Sequence, residues 1–321
     1  MKQLLTIILL ILASAAHAAE PASSYPSKPV RSIVGYAPGG GSDIMGRIMA
    51  QELSRTLGQQ VITENRAGAA QNVAAELIAR APADGYTLFM SSAALGINIS
   101  LYPKINYHPI KDFAPTALFA ISPNLLLTHP SLPPKSVKEF IAFAKQYPGK
   151  LNYSSSGSGS TQHLSGEMLK VMTGIGIVHI PYRGTAPSMT ALLSGEVEFS
   201  FSNIPAALGY VQNNRLRAIA ITSAKRSALL PNLPTMDEAG VPKFETSTWY
   251  GLLAPAATPR DIVMKLNNAV NTIVKSPEFN KRLAQLGADP VAESPEYFAK
   301  FLQAEIERWA PVVKASGAKP E

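Results

Sequence analysis

The chain has 321 residues, 46% of them hydrophobic and 16% charged, with 29 Lys and Arg against 22 Asp and Glu for a formal charge of +7. That length and apolar content exclude a disordered chain and favour two lobes, each with its own core. Cys is absent, which excludes disulfides and thiol chemistry, and the basic residues are scattered without aromatic interleaving, which argues against nucleic-acid binding.

Taken in order, Lys2, the apolar stretch from Leu4 to Leu12 and the small residues Ala16 and Ala18 have the pattern of an export signal over residues 1–18. The apolar run is well short of the roughly 20 residues that a membrane-spanning helix needs. The expectation is therefore a mature protein that begins at Ala19, free in the periplasm and with no lipid anchor, because no Cys is present to carry one.

From Pro26 short apolar strands alternate with helical stretches, the signature of α/β lobes with mixed, mainly parallel sheets flanked by helices. A strand over 30–36, ending at Tyr36, leads into Pro38, Gly39, Gly40 and Gly41, and then a helix over 42–57. Ser42 is the expected N-cap. Asp43 stands in the first turn, spaced i to i+4 from Arg47, either capping the helix or touching a ligand. Glycines at a strand-to-helix junction let the backbone approach a bound group, and the free N–H groups of the helix attract negative charge. A strand over 60–65, a small-residue helix over 68–79 and a buried strand over 86–92 follow, the last ending at Ser91 and Ser92 on the carboxyl edge where ligands bind.

Residues 102–115 read as irregular, and 117–121 and 125–129 as two strands broken at Pro123, where the chain first crosses between lobes. After a helix over 136–146, a second glycine loop appears: Ser155, Ser156, Gly157, Ser158, Gly159, Ser160 and Thr161 precede a helix from Gln162 to Met172. A strand over 177–181 ends in the turn Tyr182, Arg183 and Gly184. A helix over 186–193, a strand over 197–202, a helix over 205–212 and a strand over 217–222 complete this lobe. A strand over 246–254 with Trp249 and Tyr250 returns to the first lobe, and helices over 259–274, 277–285 and 294–315 finish it, the first capped by Thr258. The expected division is lobe 1 over 19–122 and 247–321, and lobe 2 over 123–246.

Several chemistries lack their residues. Gly41 and Gly46 have P-loop spacing, but Arg47 and Ile48 stand where Lys and Ser or Thr are required, and Ile44 replaces the third glycine of the dinucleotide pattern. A hydrolase would pair a loop serine with His163, yet no G-x-S-x-G elbow or acidic partner is evident, so His163 reads better as a structural or ligand-orienting residue. The other histidines beyond the export segment, His108, His129 and His179, are isolated, so no metal site and no cofactor are expected. Tyr182, Arg183 and Gly184 suit either a carboxylate fork or a solvated loop. Trp249 and Tyr250 suit either the core, which composition favours, or one wall of a cleft.

Together these motifs resemble one family, the periplasmic receptors of tripartite tricarboxylate transporters, also called Bug receptors. The matching stretches span nearly the whole mature chain: Tyr25-Pro26 with Lys28-Pro29, Pro38-Gly39-Gly40 with Asp43 and Arg47, Glu64-Asn65-Arg66 with Gly68-Ala69, and Ala83-Asp84-Gly85-Tyr86-Thr87-Leu88. They continue with Ser158-Gly159-Ser160 and His163-Leu164, Pro181-Tyr182-Arg183-Gly184, Leu233-Pro234-Thr235 with Glu238-Ala239-Gly240, and Trp249-Tyr250-Gly251-Leu252-Leu253-Ala254-Pro255. The resemblance implies a hinged, two-lobed binding protein of type II, a Venus flytrap, monomeric and not an enzyme. It would close on a small carboxylate held by the two glycine loops and deliver it to the membrane subunits of the transporter. Many relatives carry an acidic residue where this chain has Ser202 and Asn203, which argues against an amine-bearing ligand. The competing readings are a serine hydrolase and a carboxylate sensor in signalling.

Overall fold

The computed structural model describes residues 21–320. The export segment expected over 1–18 and the start at Ala19 lie outside the described residues. Among the described residues no helix is long and apolar enough to cross a membrane.

The first lobe is built on β1 (Val30–Val34), β2 (Val61–Asn65), β3 (Thr87–Ser92) and β9 (Ser247–Pro255), in the order β2-β1-β3-β9, with the first part of β4 (Phe113–Thr128) beside β9 and the two-residue β10 (Asp289–Pro290) beside β4. β1 pairs parallel with both neighbours, whereas β3–β9 and β9–β4 are antiparallel because β9 returns from the other lobe. The second lobe repeats the plan. There β5 (Leu151–Ser155) lies parallel between β6 (Ile177–Pro181) and β7 (Phe199–Asn203), and the end of β4 pairs antiparallel with β7 and with β8 (Arg217–Ile221).

β4 therefore belongs to both sheets. Its pairing passes from β9 at Pro123, opposite Ser247, to β7 at Asn124, opposite Asn203. The sequence suggested two strands broken at Pro123, with irregular chain up to Pro115; instead one strand runs through both. Pro123 has no N–H to give and sits at the switch between ladders, while Asn124 N–H donates to Thr222 Oγ1 at 2.8 Å, so the strand continues without losing a partner.

Helices cover both faces of each sheet. In the first lobe α1 (Gly41–Leu57), α8 (Arg260–Lys275) and α9 (Pro277–Gln285) lie over one face, and α2 (Asn72–Ala79), α3 (Ala94–Leu101) and α10 (Pro295–Ser316) over the other. In the second, α4 (Val137–Gln146) and α5 (Thr161–Thr173) oppose α6 (Thr185–Ser194) and α7 (Ile204–Gln212). β4 shows the period of two that this requires: Leu125 and Leu127 enter one core of the second lobe and Leu126 the other.

Local expectations change at four helices. The apolar residues of α3 are spread around its circumference rather than gathered on one face, so it carries no amphipathic signal and is absent from the elements expected from sequence. α1 begins at Gly41 with Gly40 as its N-cap rather than Ser42, and α8 begins after Pro259, with Thr258 making no cap bond. α2 starts at Asn72, because Ala69, Ala70 and Gln71 take positive φ and form a turn.

In α5 a Cβ on Gly166 would lie 2.3 Å from the ring of Tyr153, itself fully buried on β5. Gly166→Val is expected to destabilise the protein by about 1–3 kcal/mol through overpacking. A urea midpoint equal to wild type would show that this contact is not tight.

Candidate functional site

The junctions where strands hand over to helices face one another across the two lobes and enclose a small polar cavity of about 10 Å³, room for about one water molecule with the lobes closed. The first lobe contributes Tyr36, Gly40, Ser42, Ser92, Ala94 and Thr248; the second contributes Ser156, Ser160, Thr161, Gln162, Thr185 and Asn203. Gly40 and Ser42 stand at the start of α1 and Ala94 at the start of α3. Ser160 and Thr161 open α5, Thr185 opens α6, and Asn203 is the N-cap of α7. Five helices thus direct their N-terminal ends at one space, and none of the lining residues is charged.

The lobes are in contact around this space. A Cβ on Gly41 would meet Asn203 Oδ1 at 2.2 Å, and one on Gly159, whose φ is +102°, would meet Asn98 Oδ1 at 2.0 Å. Each contact joins one lobe to the other, so these glycines serve close approach. Hydrogen bonds cross as well, from Tyr102 O–H to Ser158 O at 2.9 Å and between the hydroxyls of Thr161 and Thr248 at 2.6 Å.

Behind each loop lies a frame of polar side chains. The Asp43 carboxylate accepts from Gly39 N–H at 2.9 Å, from Arg47 Nε at 3.0 Å and from Asn65 Nδ2 at 2.9 Å, and Asn65 also donates to Tyr36 O. Burial pushes the Asp43 carboxyl up, but bonds from Arg47, Gly39 and Asn65 outweigh it and hold its pKa below the usual range. Asp43 therefore ties the loop to α1 and β2 and does not line the cavity.

In the second loop Gln162 Oε1 accepts from Ser156 N–H at 2.7 Å, and its Nε2 donates to Thr185 Oγ1 at 3.1 Å. Ser160 Oγ caps α5 by accepting from His163 N–H, and His163 Nδ1 accepts from Gly159 N–H at 3.1 Å. The sequence left His179 isolated, but the fold stacks its ring on His163 with centroids 3.8 Å apart. Burial, with the Lys170 charge nearby, lowers His163 to about 4; burial, His163 and Lys170 lower His179 to about 2. Both rings are thus neutral near pH 7.

The Tripartite tricarboxylate transporter family receptor pattern matches residues 45–318. The chain belongs to this family of receptors. It is similar to Protein BugT of Bordetella pertussis, at 38% identity over 99% of both chains. Among solved structures it is similar to an R. palustris protein with adipate, at 38% identity and a TM-score of 0.90 over 92% of this chain and 100% of that one. It is also similar to MatC from Rhodopseudomonas palustris with bound malate, at 34% identity and a TM-score of 0.86 over 90% of this chain and 100% of that one.

Of the residues that the sequence singled out in this receptor, Tyr36, Gly40, Ser42, Ser92, Ser156, Ser160, Thr161 and Asn203 line the cavity. Pro38 and Gly39 are exposed at the rim, and Gly41, Gly157 and Gly159 shape the backbone. Ser155 is turned away: its Oγ lies 2.6 Å from His179 Nε2 and accepts from Gly157 N–H. Tyr182 O–H donates to Glu196 at 2.6 Å, Arg183 is exposed, and Gly184 packs on Ala37, so this turn supplies no carboxylate fork to the cavity. Ser91 reaches only toward Gln71. Ser202 shares the opposite sheet face with Leu125, and Tyr250 packs on Phe119 in the core.

Ala94, Gln162, Thr185 and Thr248 line the cavity without having been foreseen. Thr248 had a signal, since a strand that buries Trp249 on one face turns its neighbours to the other. A wider groove of about 800 Å³ lies beside the hinge, with Lys225, Arg226, Lys281 and Asp289 on its walls, but no helix start lines it.

Asp43 gives the folded protein a pH dependence of known sign. A carboxyl with a depressed folded-state pKa contributes stability that is present above the unfolded value of about 3.9 and is lost as pH falls through the folded value. Asp43→Asn should reduce stability at pH 6 and narrow the difference between pH 6 and pH 3 in urea unfolding. An unchanged difference would remove Asp43 from the acid-sensitive groups.

Proposed function

We propose that this receptor captures a small amine-free carboxylate between its lobes and delivers it to the membrane subunits of a tripartite tricarboxylate-type transporter. The mature protein works in the periplasm, begins at Ala19 and is a monomer. The lobes are bounded at 19–122 with 247–321, and at 123–246. The observation that carries this reading is the convergence of five helix N-termini on a cavity without charged side chains. Each helix end favours an anion by about 0.3–1 kcal/mol when exposed and up to about 2 kcal/mol when partly buried, and first-turn N–H groups not already taken, as His163 N–H is by Ser160 Oγ, can bind oxygen. An ammonium in the same space would meet the positive ends of all five and no carboxylate, which costs several kcal/mol.

The carboxylate is held by the first turns of α1 and α5, with Tyr36 and the hydroxyls of Ser42, Ser92, Ser156 and Thr161 around it. Burial pushes the Tyr36 phenol up to about 12, so it stays a neutral donor. The adipate and malate of the R. palustris relatives are amine-free diacids, which supports the reading.

The geometry favours binding over hydrolysis. His163 Nδ1 already accepts from Gly159 N–H, so it has no lone pair for a serine, and His179, which touches Ser155, is stacked on the His163 ring and makes no carboxylate hydrogen bond among the described residues. The protein is therefore a carrier and not an enzyme.

A thermal-shift panel of aliphatic and aromatic mono-, di- and tricarboxylates beside amino acids tests the proposal. A true ligand at about 100 times its dissociation constant adds about 2.7 kcal/mol, or roughly 4 °C for a protein of this size. Amine-free acids should give the largest shifts. Shifts produced by aspartate or glutamate alone would overturn the proposed ligand class.

A further inference from the structure

One group in the cavity wall is left unsatisfied by its protein neighbours. Asn203 ends β7, lines the cavity and is only 3% exposed, and its Oδ1 has no hydrogen-bond partner. As N-cap of α7 its side chain would ordinarily turn back onto the helix, yet it makes no cap bond, and Pro205 in the first turn has no N–H to offer. The amide is instead pressed against Gly41 of the other lobe, where a Cβ would lie 2.2 Å from Oδ1 and 2.7 Å from Nδ2. This contact holds it at the first turn of α1, beside the position of the bound carboxylate.

Directly across the ladder stands Asn124, fully buried, with neither amide atom partnered. Opposed residues of an antiparallel pair share a face, so the two amides stand side by side at the strand switch. An acceptor buried without a donor carries a standing cost, which a donor on the ligand removes. The helix ends around the cavity present N–H groups, and the Tyr36 phenol is neutral, so among the lining residues the protein offers an anion its donors and leaves the Asn203 acceptor without a protein donor. A ligand could meet that acceptor with a hydroxyl or with an ammonium. The positive ends of five helices and the lack of any lining carboxylate exclude the ammonium.

We infer that Asn203 reads a hydroxyl next to the ligand's carboxylate, so that the receptor selects 2-hydroxy diacids over their deoxy counterparts. The inference rests on the proposed function as a receptor for amine-free acids. A site built to bond a hydroxyl discriminates strongly against the analogue that lacks it, because its buried polar group is then left unpaired.

Calorimetry of the mature protein with malate and succinate as probes tests this. Wild type should bind malate about tenfold or more tightly than succinate, and Asn203→Ala should bring that ratio close to one. Asn203→Ser, too short to reach the same point, should do likewise and serves if the Ala variant fails to melt cooperatively. Equal affinities in wild type, or a preference that survives both substitutions, would overturn the role of Asn203 while leaving carboxylate binding intact. Binding of neither acid, with no amine-free acid active in the thermal panel, would overturn the receptor reading and this inference with it.

Discussion

A carboxylate taken out of water must be compensated, and this cavity has no cation with which to do it. In the proposed binding mode compensation falls to backbone N–H groups at helix starts, whose partial charges are fixed in direction by the fold and need no side-chain ordering. The remaining architecture serves to bring these starts together. Each α/β lobe places its strand-to-helix junctions along one sheet edge, and β4, shared between the sheets through Pro123 and Asn124, keeps the two edges facing each other. Because α1 and α3 belong to one lobe and α5, α6 and α7 to the other, the anion site is complete only when the lobes meet.

Charge acts here at one remove. Asp43 with Arg47 and Asn65 fixes the first loop, and buried Glu167, paired with Lys170 at 2.6 Å and accepting from Tyr153 O–H at 3.0 Å, supports α5 behind the second. The stacked imidazoles of His163 and His179 complete that support. Keeping ionised groups out of the cavity leaves its potential to the helix ends. It also lets Gly41 and Gly159 remain bare for contact with Asn203 and Asn98.

The strand-to-helix junctions were legible because glycine loops and helix periodicity are local signals. Ser136, Ser160 and Ser276 cap their helices, and the lobes follow the alternation of short apolar strands with amphipathic helices. What depends on contacts between separate elements was not legible. Thr185 and Gln162 meet only when α5 and α6 are folded side by side, and the His163–His179 stack joins a helix to the middle of β6. Asp43 and Arg183 each stood open between two roles in sequence, and the fold decides both: Asp43 pairs with Arg47 in the first turn and is tied up by Gly39 and Asn65, and Arg183 is exposed to solvent. Pro123 misled because its missing N–H breaks a strand only where a ladder needs that donor.

The most direct measurement is a crystal structure of the mature protein grown with malate. The account places carboxylate oxygens within hydrogen-bond distance of first-turn N–H groups of α1 and α5, with Lys and Arg side chains absent from the contact. A carboxylate seated instead on Lys225, Arg226 or Lys281 in the hinge-side groove, with the inter-lobe cavity holding none, would contradict it.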